Sequence, residues 1–282
     1  MSTSSRKPIR KAVIPAAGLG TRLRPLTSIT PKEMLPLARK PAVQYIVEEL
    51  HGAGIEDIIF VVSPLKPRIQ EYFGESTCDG QVRVHYVVQE TQKGLADAIL
   101  QAEQAVDGEH FVVALGDSVI VSKEKVSPLE RLLEAYVGNP AFAAITVEYV
   151  PIEHSPRYGM VKTAEPVRGD SFRIDALIEK PKIEDAPSNY AIAGRYVFGP
   201  SIFDFIRRTA PGALGELQIT DSIRLGMENG GLVWCAPLVG NERRYDIGNF
   251  ATFCEAFAAM CMLDEELAPL IHRVIDCYGD RS

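Results

Sequence analysis

The densest chemistry in the chain lies near its start. An apolar, partly β-branched run, Ala12-Val13-Ile14-Pro15, leads into Ala16-Ala17-Gly18-Leu19-Gly20-Thr21-Arg22-Leu23-Arg24-Pro25, and Pro31-Lys32-Glu33-Met34-Leu35-Pro36 follows. The run reads as a buried strand that delivers a loop to the edge of a sheet. Gly18 and Gly20 let backbone N–H groups approach an anion with no side chain between. Arg22 adds a forked pair of donors and Lys32 a compact charge. Ten residues separate the two cations, more than a helical turn spans, so the loop must fold back to join them. A triphosphate is the kind of ligand such a segment can hold. The glycines by themselves would make only a tight turn. Two familiar phosphate motifs are absent: no Gly-x-x-x-x-Gly-Lys leads to Ser or Thr, and Leu23 stands where a dinucleotide fingerprint has its third glycine.

Two carboxylates form the next candidate group. Asp117 follows the strand-like Phe111-Val112-Val113-Ala114-Leu115 and Gly116, and Asp246 stands in Arg244-Tyr245-Asp246-Ile247-Gly248. Magnesium takes hard oxygen ligands, commonly one or two carboxylates completed by substrate phosphates and water, so two aspartates from distant segments suit it. Taken singly, a turn aspartate and a helix-capping aspartate are the plainer readings. Glu179-Lys180-Pro181 closes a further strand, which Pro181 keeps from extending. There the lysine can meet the phosphate of a second substrate, and the glutamate can accept hydrogen bonds from sugar hydroxyls. As an isolated dipeptide it would be a solvated surface pair. The five histidines show no metal-ligand spacing. No Gly-x-Ser-x-Gly elbow signals a covalent nucleophile.

Positioning these groups requires a sheet, and the chain supplies one. Pro41 to Gly54 carries apolar Val43, Ile46, Val47 and Leu50 at helical spacing. Asp57–Val62 and Val82–Val88 read as strands, Ile69 to Phe73 as a short helix, and Gly94 to Val106 as an amphipathic helix before the strand at Phe111. Strands alternating with helices imply a mostly parallel sheet covered on both faces, with ligands at the carboxyl ends of its strands. After Pro140 the pattern changes: Ala141 to Val150, Tyr158 to Lys162, Phe172 to Ile178 and Tyr190–Phe198 are four strand-like segments with no crossover helix between Val150 and Asn189. Helices return at Ser201 to Arg208 and Gln218 to Asn229, a strand at Leu232 to Pro237, and a helical stretch runs from Phe250 to Asp276, interrupted near Pro269.

Composition narrows the class of function. The 282 residues carry 30 Lys plus Arg against 37 Asp plus Glu, a net charge of -7, so the overall field repels nucleic acid and anionic membranes and any basic site is local. Five cysteines, widely spaced and without a Cys-x-x-Cys pair, argue against a disulfide framework or zinc site and for reduced thiols in a cytoplasmic setting. The apolar run after the basic amino terminus is too short for a signal peptide, and no segment approaches a transmembrane span.

The glycine loop with Thr21-Arg22-Leu23-Arg24-Pro25 and Pro31-Lys32-Glu33-Met34-Leu35-Pro36 resembles the signature of the sugar-1-phosphate nucleotidylyltransferases, most nearly their bacterial UTP:glucose-1-phosphate uridylyltransferase branch. Tyr158-Gly159-Met160-Val161, Glu179-Lys180-Pro181, Ala186-Pro187-Ser188-Asn189, Gly194-Arg195-Tyr196 and Gly215-Glu216-Leu217-Gln218-Ile219-Thr220-Asp221 extend the resemblance in the family's order, from about Lys11 to Ala259. It implies an α/β fold, a mostly parallel, Rossmann-like mixed sheet flanked by helices, with a β-rich sugar-binding insertion and C-terminal helices. It also implies one catalytic domain over 1–282, with a nucleotide-binding part near 11–140, a sugar-binding part at 141–199 and a closing segment at 200–282.

By the same resemblance Ala17, Gly18, Gly20, Thr21, Arg22 and Lys32 hold the nucleotide, and Gln89 and Gly94 contact its base. Asp117 and Asp246 carry Mg2+, Gly159, Glu179 and Gly194 line the sugar pocket, and Lys180 meets the sugar phosphate. Gln89 offers both a donor and an acceptor to a pyrimidine edge, although a polar strand-end residue would look the same. The implied partners are UTP and glucose 1-phosphate, with UDP-glucose and pyrophosphate as products; a homo-oligomer is implied as well. The C-terminal Phe253, Phe257, Met260 and Leu263 serve either such an assembly or, as the slightly favoured reading, the protein's own core. Ser118 replaces a second acidic residue after Gly116-Asp117, Gly94-Leu95-Ala96-Asp97 resembles the thymidylyltransferases, and Asn249 and Phe250 depart from the uridylyltransferase pattern. A dTTP- or CTP-dependent enzyme, or a catalytically silent sugar-nucleotide sensor, are the alternatives.

Overall fold

The computed structural model describes residues 8–164, 167, 169–212 and 215–278; the basic residues 1–7 lie outside them. The first strand, β1 (Lys11–Ala16), is central and pairs in parallel with two later strands. A short hairpin, β2 (Pro36–Leu37) and β3 (Lys40–Pro41), precedes helix α1 (Ala42–Gly52), whose Ala42, Val43, Ile46, Val47 and Leu50 form one buried stripe. Strand β4 (Asp57–Val62) is buried at all six positions, as a strand covered on both faces must be. Helix α2 (Arg68–Phe73), the two-residue β5 (Ser76–Thr77) and β6 (Val82–Val88) complete this edge. The helical stretch at Gly94 to Val106 divides into α3 (Leu95–Gln101) and α4 (Glu103–Val106), and β7 (Phe111–Ala114) returns beside β1. Pro15 is tolerated in this central strand because the β1–β7 ladder stops at Val13.

Next come β8 (Ser118–Val121), α5 (Pro128–Val137), β9 (Ala143–Tyr149), β10 (Gly159–Thr163), β11 (Phe172–Glu179) and β12 (Tyr190–Phe198). The chain continues through α6 (Ile202–Arg208), α7 (Ile219–Glu228), β13 (Val233–Pro237), β14 (Arg243–Asp246), α8 (Phe250–Leu263) and α9 (Ala268–Tyr278). Ten strands form one sheet in the order β10-β11-β13-β9-β12-β7-β1-β4-β6-β5. The strands β7, β1, β4 and β6 are parallel, whereas β12 runs antiparallel to both its neighbours. The β-rich segment thus continues the same sheet.

Period-two alternation sorts each strand between two cores: Ala12 and Ile14 of β1 and Ile58, Phe60 and Val62 of β4 pack under α1, α2, α5 and α8. Val13, Ile59 and Val61 pack on the other face under α3, α6 and α7.

Three elements add to the sequence reading. Helix α5 starts at a capping box in which Ser127 and Glu130 satisfy each other's backbone N–H groups, with Pro128 at the first helical position. The C-terminal break covers residues 264–267, just ahead of Pro269. Asp264 Oδ1 accepts from the N–H groups of Glu266 and Leu267, and Pro269 sits in the first turn of α9, where a missing N–H costs nothing. Finally, β8 and β14 pair antiparallel outside the main sheet.

Candidate active site

The glycine loop leaves β1 at its carboxyl end. Gly20 has φ 67, and a Cβ there would lie 3.1 Å from the Cβ of Thr27, whose hydroxyl donates to the Gly20 carbonyl at 2.6 Å. Such crowding in a left-handed conformation favours glycine. Short 3-10 turns at Thr21–Leu23 and Lys32–Met34 fold the chain back, bringing Lys32 Cε within 3.8 Å of where a Cβ on Gly18 would stand. From behind, the buried Lys66 donates to the Leu19 carbonyl at 2.8 Å and props the loop. Burial pulls the Lys66 pKa below its ordinary value.

The two candidate carboxylates are joined by the β8–β14 pairing. Asp246 is in register with Ser118, and the N–H of Ile247 donates to the Asp117 carbonyl at 3.0 Å. Lys32 Nζ donates to Asp117 Oδ2. Burial opposes the charge on Lys32, but Asp117, Glu33 and Asp246 outweigh it and hold its pKa above the usual lysine value. Burial likewise opposes ionisation of Asp117, yet Lys32 keeps that carboxyl below the ordinary aspartate value. Asp246 is shifted the other way, first by burial and then by the charge of Asp117. Glu33 is pushed up to about 7, chiefly by burial.

Among the described residues no group of three or more His, Cys, Asp or Glu is arranged to hold a metal alone. Asp117 and Asp246 instead offer two hard oxygen donors and leave the remaining positions to phosphate oxygens and water, a donor set that fits a divalent cation.

Two cavities meet at this point. One, of about 480 Å³, is lined by Ala17, Gly18, Gly20, Thr21, Arg22, Lys32, Gln89, Gly94 and Asp117. The other, of about 470 Å³, is lined by Arg22, Asp117, Gly159, Glu179, Lys180, Gly194 and Asp246. Every residue given a nucleotide, sugar, phosphate or metal role from the sequence therefore lines one cavity or both, and Arg22 and Asp117 belong to both.

In the second cavity a Cβ on Gly159 would stand 2.8 Å from Ile192 Cδ1 and 3.2 Å from Glu179 Oε2, so its lack of a side chain creates the space. Glu179 Oε2 accepts from the Thr220 hydroxyl at 3.1 Å, and its Oε1 pairs with Lys180 Nζ at 3.0 Å. Lys180 holds a left-handed φ of 44 directly after the last residue of β11. Gly194 is supported by the fully buried Arg195, which pairs with Glu49 of α1 and donates to the carbonyls of Gly194 and Ser118.

Several lining residues went unassigned in the sequence. Arg244 lies over the Tyr158 ring, 4.6 Å from its centroid, and pairs with Glu148. It is two residues from Asp246 on β14, so strand periodicity puts both on one face, and that was an available signal. Tyr196 and Thr220 also line the second cavity and lie in segments already matched to the family, but without a role of their own.

Comparison with known proteins agrees with this geometry. The nucleotidyl transferase family matches residues 11–262. A UTP:glucose-1-phosphate uridylyltransferase of Staphylococcus epidermidis (strain RP62A) is 38% identical over 282 residues, covering 93% of this chain and 96% of that protein. A UDP-glucose pyrophosphorylase solved with UDP-glucose superposes with a TM-score of 0.82 at 33% identity, covering 91% of this chain and 100% of the other. A UTP-bound UGPase from Acinetobacter baumannii gives a TM-score of 0.85 at 30% identity, with 95% and 98% covered. A match running from the first residue of β1 into the last turn of α8 includes the glycine loop, both carboxylates and the second cavity, and the chain belongs to the nucleotidyl transferase family.

Proposed function

We propose that the protein transfers the uridylyl group of UTP to glucose 1-phosphate, giving UDP-glucose and pyrophosphate. The observation that carries this reading is the pair of cavities sharing Arg22 and Asp117, room for two anionic substrates with their phosphates at one junction. The relatives named for this reaction, and the solved neighbours holding UTP and UDP-glucose, support it.

A phosphate oxygen of glucose 1-phosphate attacks the α-phosphorus of UTP in line. The bond from that phosphorus to the bridging oxygen breaks, and its electron pair leaves on pyrophosphate. The chemistry needs two anions brought together and charge offset, with no protein nucleophile. Ala17, Gly18, Gly20 and Thr21 present the loop to the triphosphate, and Arg22 and Lys32 offset its charge. Gln89 and Gly94 meet the base. Lys180 exchanges Glu179 for the sugar phosphate and aims its oxygen, while Gly159, Glu179 and Gly194 shape the sugar side. Magnesium, held by Asp117 and Asp246, supplies charge compensation for the phosphates when bound.

The proposal treats 11–140 as the nucleotide-binding part, 141–199 as the sugar-binding part and 200–282 as the closing segment of one catalytic domain. It places the enzyme in the cytoplasm, consistent with five free cysteines, and as a homo-oligomer. Among the described residues no helix is long and apolar enough to cross a membrane.

Pyrophosphate release across a panel of nucleotides and sugar phosphates tests the reading, with UTP and glucose 1-phosphate expected to be used best and some dTTP use. A higher specificity constant for dTTP or CTP overturns the base assignment, and tight sugar-nucleotide binding without turnover points to a sensor. In the same assay Asp117→Asn and Asp246→Asn each lower turnover at least about tenfold. Lys180→Ala impairs glucose 1-phosphate use while Arg22→Ala impairs the nucleotide side. Equal loss of UTP binding in both, measured by calorimetry, shows the cleft divided wrongly.

A further inference from the structure

We infer that Asp97 sets the orientation of the Gln89 carboxamide and thereby makes the base site select a ring N–H over a ring lone pair. The inference rests on the nucleotide-binding reading above.

Gln89 follows β6, where its own N–H donates to the Val62 carbonyl at 2.9 Å, fixing the backbone from which the side chain reaches the first cavity. The side chain is held at its nitrogen. Nε2 donates to Asp97 Oδ2 at 2.6 Å and, more weakly, to the Gly94 carbonyl at 3.4 Å. Both residues of the close pair are buried, Gln89 at 3% exposure and Asp97 at 8%. The second oxygen of Asp97 is taken as well, accepting from Gln101 Nε2 at 3.4 Å one turn along α3.

A carboxylate and a carbonyl only accept hydrogen bonds. Turning the amide over would set Oε1 against both acceptors and leave a buried, unmade hydrogen bond in place of a charge-assisted one. The flip is therefore forbidden by its neighbours, and the carboxamide presents Oε1 as its remaining group. Among the described residues no hydrogen-bond donor takes up that oxygen.

Base chemistry gives the consequence. Uracil and thymine carry a hydrogen on N3, which a fixed carbonyl oxygen accepts; cytosine carries a lone pair there, which the same oxygen repels. An unclamped glutamine would serve either base by rotating about its terminal torsion, which has two-fold symmetry in shape and so costs little. Asp97 removes that choice. It is a positioning residue that touches neither reacting atom.

Asp97→Asn tests this with almost no change in volume. The new side chain offers Nε2 an oxygen in one orientation and offers Oε1 an N–H in the other, so both amide orientations become available. The ratio of kcat/KM for UTP to that for CTP should fall about tenfold or more, while the UTP to dTTP ratio stays within about twofold because both bases carry the N3 hydrogen. Asp97→Ala, which removes the clamp altogether, should move the ratios in the same direction. Calorimetric Kd values for UTP and CTP report the same ratio if either variant turns over too slowly to rank. A merely structural role for Asp97 would weaken all three nucleotides together, and unchanged ratios in both variants overturn the proposal while leaving the uridylyltransferase reading intact. Wild-type protein that prefers CTP sinks both.

Discussion

Glu33 sits 1% exposed beside the glycine loop, its Oε2 without a hydrogen-bond partner and its Cγ 2.9 Å from where a Cβ on Gly116 would stand. Its folded pKa of about 7 lies above the ordinary 4.5. Between those values the folded protein keeps a proton that the unfolded chain has lost. Stability therefore falls as pH rises from about 4.5 to 7 and levels off above, by a total on the order of 3 kcal/mol. Asp117, shifted downward, acts only below the ordinary aspartate range and stays outside this window. Asp246 shares the sign of Glu33 but is present in both proteins when wild type is compared with Glu33→Gln. Urea unfolding at pH 5 and pH 7 should show a marked loss in the wild type and a much smaller one in the variant; equal losses would refute the assignment. At this scale much of the candidate site was legible because loop glycines and charges at strand ends are unusual by type. Lys66 and Asp97 were not, since what distinguishes them is a partner distant in sequence or hidden inside a helix pattern.

Among the elements, the segment before α3 is stitched to the segment before α7. The Leu217 N–H donates to the Lys93 carbonyl at 2.7 Å, and the Leu217 carbonyl accepts from Ala96 at 3.0 Å. Gly94 lies between, with φ 105, where a Cβ would come 2.6 Å from the Leu217 oxygen and 2.7 Å from its nitrogen. Gly94→Ala should cost about 3 kcal/mol or more, combining left-handed strain with a backbone clash, and should raise the KM for UTP. Gly54→Ala, at φ 87 with nothing within 4 Å, should cost about 1–2 kcal/mol from the backbone alone. Thermal unfolding of the pair checks this, and equal costs would mean that the stitch bends freely. The main strands and helices were readable from periodicity because each buries a regular face. The β8–β14 ladder was not, because a four-residue strand outside the main sheet has too little pattern to mark it.

For the molecule as a whole, α9 has no buried residue, and Leu270, Val274, Ile275 and Tyr278 are exposed on it. Its start is fixed to the β2–β3 turn by Arg39, which pairs with Asp264 and Glu266. The α8 residues divide: Met260 is buried and Phe253 packs on the core, whereas Phe257 and Leu263 remain exposed. An apolar helix face held in place yet uncovered suits the proposed homo-oligomer. Light scattering should show more than one copy at working concentration, and Val274→Glu with Ile275→Glu should shift the protein toward monomer while retaining turnover. A wild-type monomer would dispose of the proposal. The single sheet was only partly foreseeable: alternation revealed the strands, but joining the β-rich segment edge to edge with the parallel half depends on long-range pairings that no local pattern encodes.

The pairing of β8 with β14 also bears on how the protein is made. A nascent chain that has emerged through β12 already holds the glycine loop, Lys32 and Asp117, but the strand that brings Asp246 alongside is still to come. Domains generally fold as units, and here β13, made after β12, takes its place between β11 and β9 inside the main sheet. The sheet is therefore completed by Val233–Pro237, and the second carboxylate joins the first only once Arg243–Asp246 has followed. On the proposed reading, a fragment that stops before Arg243 keeps the glycine loop but lacks the second carboxylate, and is expected to be inactive.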